Sequence, residues 1–595
     1  MAERSRGSDV GRFVRDGPAD VAAVVVTYNS AADIGPLLET LRHEAREVRL
    51  RVIVADNSPG SATLDVVRTH EDVLAVPSDG NLGYAAGVNT GLEHAGQAEA
   101  YLVLNPDLRV LPGAVRAMLD ELRRVPDAGI VVPRILDGEG RPAESLYHEP
   151  TVLRAFGDAV LGPLPRPAWL TEWVRAASAY ECAHAVAWAT GAALLVSADA
   201  AAEVGEWDER FFLYSEETDY CRRMREAGYR VQFTPDAVVR HRLGGSGSSA
   251  QLDALLAVNR VRYMRKHAPR RAGLYRAAMT LGAALRAPRS ASHRTCLTYL
   301  RDERRWDELP GATWYGTGAR GPIASVVIPA YNEASVIERT LASLAPATAA
   351  GSLDVHVVCN GCRDDTATRA RAFPGVRVSE LEEGSKPAAL NLGLREAITD
   401  PVVFLDADIE LAPATIRTLA RVLGRPGVLA ARPPFVYDTD GAAPLVRAYY
   451  RARARVPELS TALWGAGVYA VNSAGAARIG SFPELTADDV YVDLSFAHAE
   501  KSFAPAAPVR VRVPRTTSAL VTILARVRRG ATEQGVDTGR RTLRSLACTV
   551  RGPMSMWDAA VYCVCTLRAR RAVAARPAQR WERDDSSRVA LLSEG

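Results

Sequence analysis

Acidic side chains stand directly after apolar runs at two corresponding points of the sequence. The run at 101–104 is followed closely by Asp107, and the run at 402–405 is followed by Asp406 and Asp408. Two carboxylates two residues apart at a strand end can bind one divalent cation. Mg²⁺ takes one or two protein carboxylates and completes its coordination with substrate phosphates. A lone Asp-x-Asp is a common surface pattern, but these positions suit a substrate that carries a nucleoside diphosphate.

A second acidic pair occurs later in each half of the chain. Glu216 and Glu217 precede a helical stretch, and so do Asp488 and Asp489. Carboxylates in a first helical turn often do no more than complement the helix dipole. Adjacent carboxylates also repel each other, which leaves one of them able to accept a proton as a general base. The residues alone leave both interpretations open.

A single histidine, His241, follows an apolar run and precedes a glycine-rich segment where a metal ion or a phosphate could approach. A solitary histidine after a strand is more often structural than a ligand. The equivalent region of the second half, 509–514, contains no histidine. We therefore expect the two sites to differ.

The chain contains an internal duplication. Four motifs recur in one order, displaced by 301 to 304 residues: Tyr28 to Tyr331, Asp56 to Asn360, Asn89 to Asn391 and Asp107 to Asp408. Within each half, β-branched runs alternate with stretches of helical apolar spacing, which predicts a doubly wound α/β sheet. Ligands bind outside the carboxyl ends of the strands in such sheets, and the polar motifs fall at those ends.

Composition limits the class of protein. At 595 residues the chain is too long for one core, and about 150 residues per domain predicts two to four domains. A net charge of only +4 argues against a nucleic-acid binder. Eight cysteines show no disulfide framework, and Cys359 and Cys362 lack the second ligand pair of a zinc site. Only three lysines occur, Lys266, Lys386 and Lys501, so a lysine within a motif is notable.

Neither a signal peptide nor an apolar run of about 18 residues is present, so we expect a cytoplasmic protein, free or peripheral to the inner face of the membrane. The predicted segments are a disordered N-terminal tail at 1–19, a first domain at 20–265, a helical linker at 266–320, a second domain at 321–535 and a C-terminal helical region at 536–595. The C-terminal helix has two interpretations, packing across the second domain or peripheral contact with a membrane.

These motifs resemble those of family 2 glycosyltransferases, inverting enzymes of the GT-A fold, and they do so twice. The first half resembles the rhamnosyl- and galactofuranosyltransferase branch through VVTYNS, VIVADNS, NLGYAAGVN, NPDL, ATGAALLVS and SEETDYCRRMREAGYRV. The second half resembles the larger branch that uses UDP- or GDP-sugars through VVIPAYNE, VVCNGCRDDT, GSKPAALN, DADI and ADD. The fold class implied is two tandem, Rossmann-like α/β domains.

The resemblance implies a role for particular positions. Nucleotide-sugar contacts are implied for Thr27, Tyr28, Asn29, Asp56, Asn81 and Asn105, and for Pro329, Ala330, Tyr331, Glu333, Asn360 and Lys386. Mg²⁺ or Mn²⁺ is implied at Asp107 with His241, and at Asp406 with Asp408. The catalytic base is implied at Glu217 and Asp489, with Glu216 and Asp488 beside them, and the acceptor side at Trp207 and Asp208. Two departures are Glu217 where the family commonly has aspartate, and Asn360 in place of the usual aspartate.

The function expected is a bifunctional inverting transferase that moves sugars from nucleotide-diphosphate donors to an acceptor hydroxyl. The acceptor would be a saccharide, a lipid-linked glycan or a small molecule such as a secondary metabolite. The alternative is a catalytically silent second domain that binds acceptor or a partner, which Asn360 and the missing histidine motivate. A nucleotidyltransferase or a dinucleotide-dependent oxidoreductase would need a glycine-rich loop after the first strand, where TYNS and AYNE stand instead.

Overall fold

The computed structural model describes residues 11–162, 164, 166–242, 249–315, 321–456, 461–485, 487–504, 506, 508–533 and 539–575. The chain divides into two compact units, Met1–Trp314 and Tyr315–Gly595. Residues 1–10 of the predicted tail, 316–320 of the predicted linker and 576–595 of the predicted C-terminal region lie outside the described residues.

The first unit is built on a mixed sheet with the strand order β3-β2-β1-β5-β11-β7-β12-β6. Its strands and those of the small sheets beside it are β1 Ala19–Thr27, β2 Leu50–Asp56, β3 Leu74–Pro77, β4 Gly80–Asn81, β5 Ala98–Leu104, β6 Leu108–Val110, β7 Ala128–Leu136, β8 Leu146–Tyr147, β9 His184–Val186, β10 Trp188–Ala189, β11 Ala193–Ser197, β12 Arg230–His241 and β13 Thr313–Trp314. Strands β3, β2, β1 and β5 run parallel, whereas β11 is antiparallel to β5 and β7.

Helices cover both faces of this sheet, as the burial of its central strands shows. Every residue of β2 is buried, and β1 is buried at all but one position, as expected for a parallel strand covered on both faces. The helices of the unit are α1 Ala31–Glu44, α2 Ala62–Arg68, α3 Tyr84–Leu92, α4 Ala114–Arg124, α5 Val152–Leu161, α6 Ala198–Val204, α7 Glu216–Glu226, α8 Ala250–His267, α9 Pro269–Arg286 and α10 Ala291–Arg301.

The segment predicted as a linker packs as part of the first unit. Helices α8, α9 and α10 share an apolar cluster that includes Tyr263, Tyr275 and Trp306, and β13 then pairs with β4. The predicted N-terminal tail at 1–19 also differs from expectation, because Phe13 is buried and β1 already begins at Ala19, although residues 15–18 are exposed. The backbone N–H groups of Phe13 and Val14 also donate to Asp72 Oδ2 and to the carbonyl of Leu50, at 3.0 and 2.8 Å.

The second unit repeats the architecture with the strand order β16-β15-β14-β17-β20-β18-β21. Its strands are β14 Ser325–Ala330, β15 Asp354–Asn360, β16 Val376–Leu381, β17 Val402–Leu405, β18 Ala430–Arg432, β19 Phe435–Asp438, β20 Val468–Val471, β21 Lys501–Phe503 and β22 Val509–Arg512. Its helices are α11 Ile337–Ala349, α12 Thr366–Arg371, α13 Lys386–Arg395, α14 Pro413–Leu423, α15 Pro444–Arg453, α16 Ser473–Ile479, α17 Asp488–Leu494, α18 Thr517–Glu533, α19 Gly539–Cys548 and α20 Pro553–Ala575. The predicted α/β class is confirmed in both units.

The C-terminal helix α20 packs on α15. The rings of Tyr449 and Tyr562 stack with centroids 4.8 Å apart, and buried Asp558 accepts hydrogen bonds from Arg451 and Arg455. This contact agrees with the first interpretation of the sequence, in which the helix packs across the second domain. Among the described residues, no helix combines the length and apolar character needed to cross a bilayer.

The duplication extends to individual hydrogen bonds. The side-chain amide of Asn89 on α3 donates to the carbonyl of Trp207 and accepts from its backbone N–H, both at 3.0 Å. Asn391 on α13 makes the same two bonds with Phe482, at 2.9 and 2.7 Å. In each unit one asparagine side chain, buried for Asn89 and half-buried for Asn391, thus bonds both the N–H and the C=O of a residue that precedes the second acidic pair.

We expect Asn89→Ala to lower the free energy of unfolding of the first unit by about 2–3 kcal/mol, because it leaves a buried N–H and a buried C=O without partners. Urea unfolding of the full chain measures the change. Thr90→Ala, one residue along the same helix and not part of this pair of bonds, is the control. Equal effects of the two substitutions would contradict the assigned role.

Candidate active site

The nucleotide positions predicted in the first unit meet at the carboxyl ends of β1 and β2. Thr27 and Asp56 are register partners, and the Thr27 hydroxyl donates to Asp56 Oδ1 at 2.8 Å. The Ser58 hydroxyl donates to the same oxygen at 2.6 Å. Asp56 Oδ2 is buried and has no hydrogen-bond partner among the described residues. A buried acceptor without a partner is costly, so this oxygen marks a place for a ligand that carries an N–H or O–H donor.

The adjoining turn presents Tyr28 to solvent. Its side chain is 51% exposed, and Asn29 adopts a positive φ of 53° while its backbone N–H donates to the Ser58 hydroxyl at 2.7 Å. Asn332 has the same φ of 53° in the second unit. Asparagine tolerates this left-handed conformation better than most residues, which explains the type of residue that follows each tyrosine.

The remaining predicted nucleotide residues of the first unit lie on neighbouring segments. Asn81 ends the short strand β4, which pairs with β13. Asn105 follows β5 and its backbone N–H donates to the carbonyl of Ala192 at 2.9 Å. Both are half-buried.

Asp107 and His241, which are 134 residues apart in sequence, are brought together by the pairing of β6 with β12. His241 Nε2 lies 3.1 Å from Asp107 Oδ1, and both side chains are largely buried. Burial opposes ionisation of Asp107, but the hydrogen bond and charge of His241 outweigh it and lower the pKa of the carboxyl. A carboxylate beside an imidazole is a donor set that fits Mn²⁺, and the carboxylate also fits Mg²⁺.

The acidic pair Glu216 and Glu217 opens helix α7. Glu216 is buried, with Oε2 lacking a partner among the described residues, whereas Glu217 is partly exposed. Burial and the neighbouring Glu217 raise the pKa of Glu216 well above its usual value. Burial raises the pKa of Glu217 to about 7, although backbone N–H groups of the helix start favour its charged form. The shift therefore favours the protonated form of Glu216, and Glu217 is the carboxyl whose pKa lies near neutral pH.

Helix α7 begins at a turn with a strained backbone, and ion pairs to Asp219 in its first turn hold the helix in place. Tyr214 and Ser215 both have φ of 71°, which is uncommon for residues with a side chain. Buried Asp219 receives His267 Nε2 at 2.7 Å and Lys266 Nζ at 2.5 Å. Burial opposes ionisation of Asp219, but these bonds and charges lower the pKa of its carboxyl strongly. The ion network fixes the helix whose first turn carries Glu217.

Tyr84 and Gly191 complete the site and were not predicted from the sequence. The Tyr84 hydroxyl donates to the carbonyl of Gly191 at 3.1 Å. Burial, with the charges of Glu216, Glu217 and Asp107, raises the pKa of Tyr84 well above its usual value. A side chain at Gly191 would meet Glu217 Cβ at 3.3 Å, so the glycine makes room for the acidic pair. Tyr84 lies in the motif NLGYAAG and Gly191 in the motif ATGAALL. A tyrosine and a glycine in these motifs do not by themselves indicate that the two residues are in contact.

The acceptor-side assignment of Trp207 and Asp208 does not match their positions. Trp207 is 2% exposed and stacks on Tyr220 with centroids 4.4 Å apart, so its ring is part of the core. Asp208 is tied to Lys266 at 2.7 Å and to Arg210. Both residues are linked to helix α7, Trp207 through the ring of Tyr220 and Asp208 through Lys266, which also pairs with Asp219.

In the second unit, Asn360 occupies the place of Asp56. Its amide donates to the carbonyl of Ala330 at 2.9 Å, and its Oδ1 is buried without a partner in the described part of the chain. The Tyr331 ring lies against Gly384, where a Cβ would come within 3.1 Å of Cε2. Pro329 lies in strand β14, every residue of which is buried. The backbone N–H of buried Glu333 donates to the Thr366 hydroxyl at 2.7 Å.

Lys386 joins the two acidic motifs of the second unit. Its Nζ lies 2.8 Å from Asp406 Oδ1 and 2.9 Å from Asp488 Oδ1, and the Tyr469 hydroxyl donates to Asp488 Oδ2 at 3.0 Å. Burial opposes protonation of Lys386, but the two carboxylates outweigh it and raise the pKa of the ammonium. Burial, followed by Asp488, raises the pKa of half-buried Asp489 to about 6.

Asp406 and Asp408 end the strand β17 as predicted. Burial and the neighbouring carboxylates of Asp488 and Asp408 raise the pKa of Asp406 in spite of Lys386. This concentration of carboxylates fits a divalent cation, since a cation relieves their repulsion. Among the described residues, no group of three or more His, Cys, Asp or Glu side chains converges as a candidate metal site.

Comparison with known proteins gives the same family for both units. A family model described as "Glycosyl transferase family 2" matches residues 22–176 and 325–476, just over half of the chain. N-acetylglucosaminyl-diphospho-decaprenol L-rhamnosyltransferase of Mycobacterium tuberculosis (strain CDC 1551 / Oshkosh) is 33% identical over 301 residues, which covers 48% of this chain and 96% of that protein.

Two further similarities are weaker. The low-salt glycan biosynthesis hexosyltransferase Agl10 of Haloferax volcanii is 30% identical over 216 residues, covering 36% of this chain and 64% of that protein. The solved structure of the mannosyltransferase PcManGT from Pyrobaculum calidifontis aligns over 55% of this chain and 86% of that one, at 20% identity and a TM-score of 0.31. A TM-score of 0.31 is too low to support any inference about the donor sugar or the metal ion of this chain.

We expect Glu217→Gln to change how the stability of the first unit depends on pH. The raised pKa means that the folded carboxyl binds its proton more tightly than the unfolded one, so this contribution is fully present below about pH 4.5 and is lost as pH rises to about 7. Wild type should therefore lose stability relative to the variant across that window, by at most about 3 kcal/mol. Urea midpoints at several pH values measure this, and Glu226→Gln at the other end of α7 should follow wild type.

Proposed function

Because the chain belongs to glycosyl transferase family 2, we propose that it is a bifunctional inverting glycosyltransferase with one active site in each unit. Each site would transfer a sugar from a dTDP-, UDP- or GDP-linked donor to an acceptor hydroxyl. The observation that carries this proposal is the acidic pair that opens α7, in which burial raises the pKa of Glu216 and partly exposed Glu217 has a pKa of about 7. A carboxyl of that pKa both accepts and releases a proton at neutral pH.

The nucleotide base would bind at the ends of the first two strands of each unit. Asp56 Oδ2 and Asn360 Oδ1 are buried acceptors that a ring N–H can satisfy. Thymine, uracil and guanine all present such a donor, which supports the donor classes without choosing among them. Replacement of aspartate by Asn360 keeps the acceptor oxygen, so the departure from the family pattern preserves this contact.

The diphosphate would lie beside the metal-binding pairs. Asp107 with His241, and Asp406 with Asp408, are the residues that would hold Mg²⁺ or Mn²⁺. A bound divalent cation supplies charge neutralisation for the nucleoside diphosphate as it leaves. Lys386 adds a fixed positive charge at the same edge of the second sheet.

Transfer would proceed by direct displacement at the anomeric carbon, which inverts its configuration. Glu217, or Asp489 in the second unit, removes the proton from the acceptor hydroxyl while the oxygen forms the new glycosidic bond. Protonated Glu216 avoids a second negative charge in the cleft. Tyr84 and Gly191 keep the acidic pair in place through the contacts described above.

The acceptor we favour is a lipid-linked saccharide, ahead of a small molecule such as a secondary metabolite. The mycobacterial relative, by its name, transfers L-rhamnose to N-acetylglucosaminyl-diphospho-decaprenol, and it matches this chain over 96% of its own length. The same similarity favours a deoxyhexose donor for one of the two transfers.

A silent second unit is the alternative, and one contact favours it. Lys386 already lies between Asp406 and Asp488, within ion-pair distance of both, so it competes with a cation for Asp406. The second unit would then bind acceptor or a partner without catalysis.

We expect Glu217→Gln and Asp489→Asn each to remove one of the two transfers, lowering its rate by about 10²–10⁴-fold, because each removes a general base while keeping shape. Release of nucleoside diphosphate from a panel of nucleotide sugars measures turnover in the full chain. Calorimetry with UDP, GDP and dTDP should show unchanged binding. Glu226→Gln is the matched control on α7. A loss in Glu217→Gln with none for any donor in Asp489→Asn would support the silent second unit.

We expect Asp107→Asn to raise the Mn²⁺ concentration needed for half-maximal turnover in the first unit by at least about tenfold, since even outer-shell changes weaken metal affinity that much. Chelator-treated protein titrated with MnCl₂ or MgCl₂ gives the measurement. Unchanged cation dependence would remove Asp107 from the metal pair.

A further inference from the structure

Helices α5 and α9 of the first unit expose a continuous series of large apolar side chains. On α5 these are Leu153, Phe156 and Val160, and on α9 they are Leu274, Leu281 and Leu285; their exposed fractions range from 38% to 65%. Each set falls on one side of its helix, at spacings of three, four or seven residues. We call this surface the α5–α9 face. Nothing in the proposed transfer reaction uses it.

The two helices form a rigid platform for these side chains. A Cβ at Gly282 of α9 would lie 3.1 Å from Ala159 Cβ of α5, so the backbones approach closely. Arg286 then donates to the carbonyls of Ala159 and Asp158, at 3.0 and 2.8 Å, at the end of α5. On their inner sides both helices contribute to an apolar cluster through Ala155, Ala272 and Tyr275. The exposed side chains therefore belong to packed helices.

The same region carries unbalanced positive charge. From Ala268 to Arg301 the sequence has seven arginines and no aspartate or glutamate, although the whole chain has a net charge of only +4. Three of these arginines, Arg270, Arg271 and Arg289, are exposed and form no ion pair with any described residue. Exposed Trp169 follows α5. Arg270 and Arg271 lie four and three residues before Leu274, on the same side of α9, and exposed leucines combined with arginines match the composition of an interfacial helix.

We propose that the α5–α9 face docks on a bilayer surface that contains anionic phospholipid. The leucines and the phenylalanine would enter the boundary between headgroups and acyl chains, while the arginines would pair with lipid phosphates. A second copy of the chain is a poor occupant, since it would bring another unbalanced arginine-rich segment against the first. This association is independent of sugar transfer, so it can fail while the proposed function stands.

Vesicle flotation of the full chain tests the proposal. We expect binding to phosphatidylcholine vesicles that contain phosphatidylglycerol, weaker binding to phosphatidylcholine alone, and release by added salt. Leu274→Glu/Leu281→Glu/Leu285→Glu should weaken binding by at least about tenfold. Ile398→Glu, at a 66% exposed position in the second unit, is the matched control and should bind like wild type.

A second variant keeps the test decisive if the triple substitution impairs folding. Arg270→Gln/Arg271→Gln leaves the apolar side chains in place and should lose the preference for phosphatidylglycerol. Met554→Glu/Trp557→Glu probes the other candidate surface, on α20, and should have no effect. The proposal is overturned if wild type binds neither vesicle, if only the α20 variant loses binding, or if sedimentation shows a dimer that the triple variant makes monomeric.

Discussion

Repulsion among carboxylates gathered in a poorly solvated cleft is the constraint on which both units depend. Chemistry at the end of a parallel sheet brings acidic side chains from several strands and one helix to the same edge. Each of them costs free energy to ionise there unless a proton, a cation or a hydrogen bond compensates it. The residues around the acidic pairs lower this cost by supplying positive charge and hydrogen bonds.

The two units meet this constraint differently. In the first, burial raises the pKa of Glu216 and favours its neutral form, His241 pairs with Asp107, and Lys266 and His267 both contact Asp219. In the second, Lys386 bridges Asp406 and Asp488. The third lysine of the chain, Lys501, pairs with Asp493 on the helix that carries Asp489. All three lysines in the sequence are therefore bound to carboxylates that belong to the acidic helices or to the strand end facing them.

Strand ends, the duplication and the family were within reach of the sequence, because each depends on local pattern. The apolar runs before Asp107 and Asp406 predicted strands whose ends carry carboxylates, and the family resemblance is confirmed. Contacts between distant segments were not within reach. The burial of Trp207 depends on its stacking with Tyr220, and the role of Asn89 depends on the peptide at Trp207. The membership of α9 and α10 in the first unit depends on an apolar cluster that no single motif contains.

The departures of the second unit from the family pattern carry less weight than the sequence suggests. Asn360 keeps a buried acceptor oxygen where Asp56 has one, and a neutral amide is easier to bury than a carboxylate. The second unit lacks the histidine, and Lys386 places a positive charge beside Asp406, where it would also compete with a bound cation. Burial and Asp488 raise the pKa of Asp489 to about 6, the same direction of shift as at Glu217 in the first unit. A buried acceptor oxygen at the strand end and an acidic pair at a helix start are therefore present in both units.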